Sequence, residues 1–181
     1  MKWNKIYRVS LKAHGWAFPF FEVRMTTHFR GRFELKVDPK FRLSLPSAFR
    51  DVIRSTENSR IVITNSQYQG KRCLDAYPMH EWQRLETKIS KLPQLKVEVQ
   101  NFQRFYLSGG HVIDLDAQSR CLIPPTLRTY AAIQNDVVVV GFAQKFEIWA
   151  LETWNSLFDG LAQGFESTLA SIAELGKSED E

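Results

Sequence analysis

The sequence predicts an α+β protein built from two tandem, pseudo-symmetric units, each a small β-sheet with flanking helices. Two observations lead there. The stretch Val37-Asp38-Pro39-Lys40-Phe41-Arg42-Leu43-Ser44-Leu45-Pro46-Ser47-Ala48-Phe49-Arg50 recurs 78 residues later as Leu115-Asp116-Ala117-Gln118-Ser119-Arg120-Cys121-Leu122-Ile123-Pro124-Pro125-Thr126-Leu127-Arg128. Asp, Arg, Pro and the final Arg match, and apolar residues pair at 37, 43, 45 and 49. Around each copy the apolar period switches between two and about 3.6, so short strands and helices follow one another. A fixed repeat sets architecture before any single element does, and two copies are too few for a solenoid.

The first unit opens with a strand. Phe29, Gly31, Phe33, Leu35 and Val37 alternate with Arg30, Arg32, Glu34 and Lys36, which gives one buried face. Asp38-Pro39 ends it in a turn, because proline fixes its own φ and restricts its predecessor. Leu43 and Leu45 resume a short strand. Pro46 suits the first turn of a helix, and Phe49, Val52 and Ile53 share that helix's apolar face. Arg60–Thr64 and Arg72–Tyr77 read as strands joined by a polar loop holding Gly70. From Pro78 a helix carries Trp82, Leu85, Ile89 and Leu92. After Pro93, Leu95, Val99, Phe102 and Tyr106 continue at helical spacing until Ser108-Gly109-Gly110 stops them.

The second unit repeats the order. His111–Leu115 is a strand, then come the turn, Leu122-Ile123, and a helix from Pro124 with Leu127, Tyr130 and Ala131. Val137–Val140 reads as a buried strand, Lys145–Trp149 as the last one, and a closing helix holds Trp154, Leu157, Phe158 and Leu161. Phe165, Leu169 and Ile172 extend a helical tail whose end, from Gly176, is polar and frayed. The three tryptophans Trp82, Trp149 and Trp154 are expected in the core.

These residues resemble the MraZ family. The carriers are the Asp-x-x-x-Arg pairs Asp38/Arg42 and Asp116/Arg120, each followed by a strand and a proline, with Phe102-Gln103-Arg104-Phe105, Ser108-Gly109 and Phe146-Glu147-Ile148-Trp149. The resemblance spans about Met25 to Leu161. It implies two SpoVT-AbrB (AbrB-like, swapped-hairpin, double-split β-α-β) domains and a bacterial DNA-binding transcriptional regulator working as a ring-shaped homo-oligomer. It further implies repression at short promoter repeats near the division and cell-wall gene cluster, in cytoplasm and nucleoid. One departure stands out: the family usually has Gly before the signature Arg, where this chain has Phe41 and Ser119. A bulky residue there means either a different turn or strain on the order of 1 kcal/mol.

The expected division is an extension at 1–24, disordered or a start-site artefact, a first domain at 25–93, a bridging helix and second domain at 94–161, and an acidic, partly helical tail at 162–181. Charge follows this division. The chain carries +4, and residues 1–24 alone account for it, while 158–181 hold −5, leaving +5 for 25–157. Within that core the first repeat is the basic one: His28 to Arg50 has six cations and two anions, whereas 106–128 has two of each.

Arg42 is the leading candidate for DNA contact, on phosphate or a guanine edge, since a guanidinium suits either. A salt bridge to Asp38 in the same turn is the plainer role, and both hold if Asp38 aims the arginine. Lys40 at the turn tip suits phosphate, which sets register without reading sequence. Arg30 and Arg32 lie on the polar face of the first strand and serve as further contacts or as a solvated face. Arg120 and Gln118, supported by Asp116, are the second copy's equivalents, where the neutral surroundings also suit a structural or subunit-contact role. Phe41 is expected to pack against a neighbouring subunit rather than wedge between bases.

Catalysis finds little support, and an enzyme is the third reading. His14, His28, His80 and His111 are scattered, and no phosphate-binding glycine loop or zinc spacing occurs. No cofactor, metal or small-molecule substrate is expected. Cys73 and Cys121 read as small buried residues of a reducing compartment. No apolar run reaches the roughly 18 residues of a membrane helix. The expected partners are double-stranded DNA and further copies of the chain. A protein-interaction module of antitoxin type is the alternative, with the acidic tail as its binding segment.

Overall fold

The computed structural model describes residues 28–54 and 59–177; the expected extension at 1–24 lies outside the described residues, as do the last four residues of the tail. Each half supplies four strands. The first gives β1 (Arg32–Lys36), β2 (Arg42–Ser44), β3 (Arg60–Tyr68) and β4 (Lys71–Pro78), and the second gives β5 (His111–Asp114), β6 (Arg120–Leu122), β7 (Asp136–Phe142) and β8 (Lys145–Ala150).

The halves do not keep their sheets apart. Six strands form one antiparallel sheet in the order β1-β7-β8-β4-β3-β5, and β2 pairs with β6 in a separate ladder. Exchanging the halves reverses this order and leaves it the same, so a pseudo-two-fold axis runs between β4 and β8. The reason is strand supply. The first hairpin strand of each half needs a partner along its length, and it finds one in the long strand of the other half: β1 on β7, β5 on β3. Interleaving lets each half cover an edge of the other.

The core lies between the large sheet and the ladder. Leu43, Leu45, Phe49, Ile53, Cys121, Ile123 and Leu127 meet Ile61, Ile63, Leu74, Val137, Val139, Phe146 and Ile148, all fully or nearly fully buried. Helix α1 (Ser47–Arg54) contributes Phe49, Val52 and Ile53, the face expected from sequence. Phe49 sits edge-on to Phe29 and Phe33, with ring centroids 5.1 and 5.3 Å away, a favoured arrangement for aromatic quadrupoles. Helix α4 (Pro125–Tyr130) buries Leu127 on the pseudo-symmetric side.

The sheet's other face carries two further helices. Helix α2 (Met79–Ser90) buries Trp82, and α5 (Leu151–Gln163) buries Trp154 and Leu157 against Cys73, Val138 and Trp149. Both cysteines are free and buried. The helix expected from Leu95 to Tyr106 is α-helical only over α3 (Val97–Phe102) and continues as a π-helical turn over Gln103–Leu107. Side-chain donors from β3 explain its anchoring. Asn65 Nδ2 donates to the Phe105 carbonyl at 2.6 Å, and Thr64 Oγ1 to that of Tyr106 at 2.5 Å. A Cβ on Gly109 would lie 1.7 Å from Asn65 Oδ1, so this glycine permits close approach as well as ending the helix. Between β3 and β4 the loop shrinks to Gln69-Gly70, at φ 49° and 73°, the tight turn whose twist matches a hairpin.

On the axis, Asp75 of β4 faces Glu147 of β8 directly. Like charges opposite one another repel, and Lys145 resolves this: its Nζ lies 2.7 Å from Asp75 Oδ2 and 3.1 Å from Glu147 Oε1. Tyr106 donates its hydroxyl to Asp75, and Trp149 Nε1 donates to Glu147 at 2.9 Å. Removing the one cation leaves two carboxylates unpaired, one of them almost wholly buried. Lys145→Met should therefore destabilise the protein by about 3 kcal/mol, read from the urea unfolding midpoint.

Candidate nucleic-acid interface

The two repeated turns are built alike. Phe41 N–H donates to the Asp38 carbonyl at 2.8 Å, and Asp38 N–H to the Arg42 carbonyl at 3.0 Å. Ser119 and Asp116 repeat the first bond at 2.7 Å, and Asp116 and Arg120 the second at 3.0 Å. Phe41 and Ser119 both stand at φ 58°, in the left-handed region. Each loop is thus a three-residue hairpin connection with a left-handed last residue. The turn keeps its geometry although neither position is glycine.

The aspartate side chain organises each loop. Asp38 Oδ1 accepts from the backbone N–H of Lys40 at 2.8 Å and of Arg42 at 2.9 Å, and Oδ2 accepts from Arg42 Nε at 2.7 Å. Arg42 Nη2 lies 2.6 Å from the same oxygen. In the second copy Asp116 Oδ1 accepts from Gln118 and Arg120 N–H, both at 2.9 Å, Oδ2 from Arg120 Nε at 2.7 Å, and Gln118 Oε1 from Arg120 Nη2 at 3.1 Å. One carboxylate therefore fixes both the loop backbone and the guanidinium. A guanidinium has five donors in a rigid fork, so the pairing holds Arg42 in place without using all its N–H groups. Its side chain stays 33% exposed.

The ladder brings the two turns together. Leu43 pairs with Cys121, and both are fully buried. Side chains alternate across a strand, so Arg42, Ser44, Arg120 and Leu122 share the outward face. Arg42 is opposite Leu122 and Ser44 opposite Arg120, which makes the two arginines diagonal neighbours, roughly 7–8 Å apart along the backbone. Lys40 is exposed at the first tip.

The other sequence candidates lie elsewhere. Arg30 is exposed just ahead of β1. Arg32 points to the sheet face covered by α5, with its guanidinium 4.7 Å from the Phe158 ring centroid. Phe41 packs within its own chain, under the Arg128 guanidinium at 3.3 Å from the ring centroid. Three arginines near the ladder were not singled out from sequence. Arg54 Nη2 donates to Ser119 Oγ at 3.0 Å, and Arg50 and Arg128 each bury an Nε with no hydrogen-bond partner. The signal for two of them was present, since Arg50 and Arg128 are the last matched pair of the repeat. Among the described residues no group of three or more His, Cys, Asp or Glu could hold a metal ion, and no helix is long and apolar enough to cross a membrane.

Hydrogen bonds from the Arg42 backbone N–H and guanidinium hold the Asp38 carboxyl at about 2, from an ordinary 3.8. Asp116 is lowered for the same reason, led by the Arg120 backbone N–H. A lowered carboxylate contributes stability that is complete above its unfolded pKa and is lost as pH falls through the folded one. The stability that the Asp38 turn contributes should be complete above about pH 4 and decline below it, and the turn itself should open as pH falls through about 2. The carboxyl carbon shift of Asp38 and the amide shift of Phe41, followed by NMR, should report a common midpoint near the lower value.

The family model described as "MraZ protein, putative antitoxin-like" matches the chain twice, over residues 28–105 and 106–172. Proteins called transcriptional regulator MraZ are similar along most of their length. The one from Halothermothrix orenii is 34% identical over 148 residues, covering 82% of this chain and 99% of its own. That from Natranaerobius thermophilus is 39% identical over 146 residues, covering 81% and 94%. That from Acidithiobacillus ferrooxidans is 38% identical over 143 residues, covering 74% and 95%. With both halves matched by one model and the paired Asp–Arg turns at the same place in each, the chain belongs to the MraZ family.

Proposed function

We propose that this protein is a sequence-specific, DNA-binding transcriptional regulator, a repressor that engages short promoter repeats near the division and cell-wall gene cluster as a ring-shaped homo-oligomer. The observation that carries the reading is the outward face of the β2–β6 ladder, where two aspartate-held arginines sit side by side. Preset guanidiniums lose little freedom on binding, and their planar fork matches phosphate or a guanine edge. Arg42 leads, Lys40 adds a phosphate contact at the tip, and Arg120 with Gln118 follows from the second copy. Arg30 and Arg32 supply more distant charge; Arg32 would first have to leave Phe158. The names of the relatives support the regulatory role.

One protomer offers few cations, and affinity for DNA grows with the number of phosphates neutralised. Assembly multiplies the contact, because a second turn binds at high effective concentration once the first is engaged. Helix α6 (Phe165–Lys177) favours such an assembly. Phe158, Leu161, Phe165, Leu169, Ile172 and Leu175 form an exposed apolar stripe along α5 and α6, and α6 has no buried side chain from Phe165 to Leu175. A helix of this length is marginal alone in water, so a second copy covering the stripe would stabilise it.

The antitoxin-like description and the same stripe favour one other reading, in which the stripe binds a different protein. Salt separates the two. DNA binding through phosphates weakens steeply with ionic strength, whereas an apolar protein complex does not.

Footprinting on the gene's own upstream region at fixed salt should show protected repeats with the wild type and none with Arg42→Ala, at unchanged assembly mass. Full protection by Arg42→Ala would refute the site assignment. Leu169→Glu with Ile172→Glu should reduce the mass seen by light scattering to that of smaller species and weaken promoter binding by at least about tenfold, since the linked contacts are lost.

A further inference from the structure

The Asp38 carboxylate holds the backbone on either side of residue 41, through Lys40 and Arg42, and the main chain of residue 41 bonds to the Asp38 carbonyl and the Ile123 N–H, but none of these bonds reaches the Phe41 side chain. At φ 58° a phenylalanine Cβ crowds its own backbone, a conformation bulky side chains rarely adopt. Something outside the turn has to hold it. The neighbour is Arg128, from α4 in the other half, with its guanidinium against the Phe41 ring and its buried Nε lacking any oxygen partner. The ring face takes the place of an acceptor, in a sheltered setting where cation–π attraction is at its more favourable. The opposite turn is held in the same sense: Arg54, from α1 in the first half, donates to the Ser119 hydroxyl. Each signature turn is gripped at its left-handed residue by an arginine from the other half's helix.

We propose that Arg128 is a positioning residue for the Arg42 contact: stacked on Phe41, it holds the first turn in the left-handed geometry that directs Arg42 outward. This rests on the DNA-binding reading. The stack replaces what glycine would supply without cost, and it links the rigidity of the DNA-facing turn to the packing of α4. An open cavity of about 430 Å³, lined by Phe41, Arg128, Thr129, Gln134 and Asn135, adjoins the stack. A direct phosphate contact by Arg128 is therefore the outcome to test against.

The test measures affinity for a duplex carrying the promoter repeats, with its salt dependence, for wild type, Arg128→Ala, Phe41→Gly and the double variant. Hydrogen exchange at the residue 41 amide gives a readout that needs no DNA. Arg128→Ala should weaken binding roughly three- to tenfold and lower amide protection by a similar factor, the size expected for a stacked guanidinium, with salt slope and assembly mass unchanged. Phe41→Gly should bind within about twofold of wild type, because glycine takes positive φ freely, and adding Arg128→Ala to it should change nothing further. An equal loss from Arg128→Ala in both backgrounds, with the salt slope reduced by about 0.9, would make Arg128 a phosphate ligand and overturn the proposal. Unchanged amide protection in Arg128→Ala would overturn it too. If the wild type does not bind duplex DNA at all, the functional reading fails, while the exchange measurement still decides whether Arg128 holds the turn.

Discussion

The pairing of β2 with β6 is the contact on which the rest of the molecule depends. Each strand has three residues, too few to be stable by itself, and each is held only by its own hairpin and by the strand from the other half. Leu43 and Cys121 meet at the centre of that ladder, fully buried. Their burial fixes the register, and with period-two alternation the register puts Arg42 and Arg120 on the outward face. A slip of one residue would drive both guanidiniums into the core. The hydrophobic contact that closes the core is thus the same one that presents the charge.

Around this contact the two halves are interdependent. Neither first hairpin strand pairs with a long strand of its own half, and neither signature turn is completed by its own helix. The axis that relates the halves passes through the Leu43–Cys121 and Asp75–Glu147 pairs, one apolar and one doubly acidic. Symmetry made the acidic pair costly, because a self-complementary position repeats its charge. Lys145, Tyr106 and Trp149 break that symmetry locally and offset it with one cation and two neutral donors. The same loosening of symmetry separates the two turns. A stacked aromatic supports one and a buried hydroxyl the other, while the aspartate geometry is common to both.

Much of this was legible in the residues. The repeat announced two copies of one unit, and period-two and helical spacing located the strands and helices that carry Phe49, Val52 and Ile53, Val137–Val139 and the three buried tryptophans. An ion pair between Asp38 and Arg42 was one of the two roles legible for that arginine, since an acid and a base four apart across a proline turn are within reach of each other, and the two are bonded in the turn. The passage of the helix into a π-turn was not legible, because the side chains that anchor it, Thr64 and Asn65, lie some forty residues away. Nor was the partner of Phe41. A side chain in an unfavourable backbone region says that something must hold it, and nothing in the local sequence says what.

By itself, then, the sequence determined the elements, the duplication, the aspartate–arginine turns and the family resemblance, all of which rest on short-range spacing and local backbone chemistry. The tertiary structure decided how the halves interleave, that the two arginines lie side by side on one face while Arg32 turns to the other, and that Arg54 and Arg128 reach across to the opposite turns. These depend on pairings between residues separated by half the chain. Such pairings are chosen by whole-sheet hydrogen bonding and shared burial, and several topologies can satisfy the same local pattern.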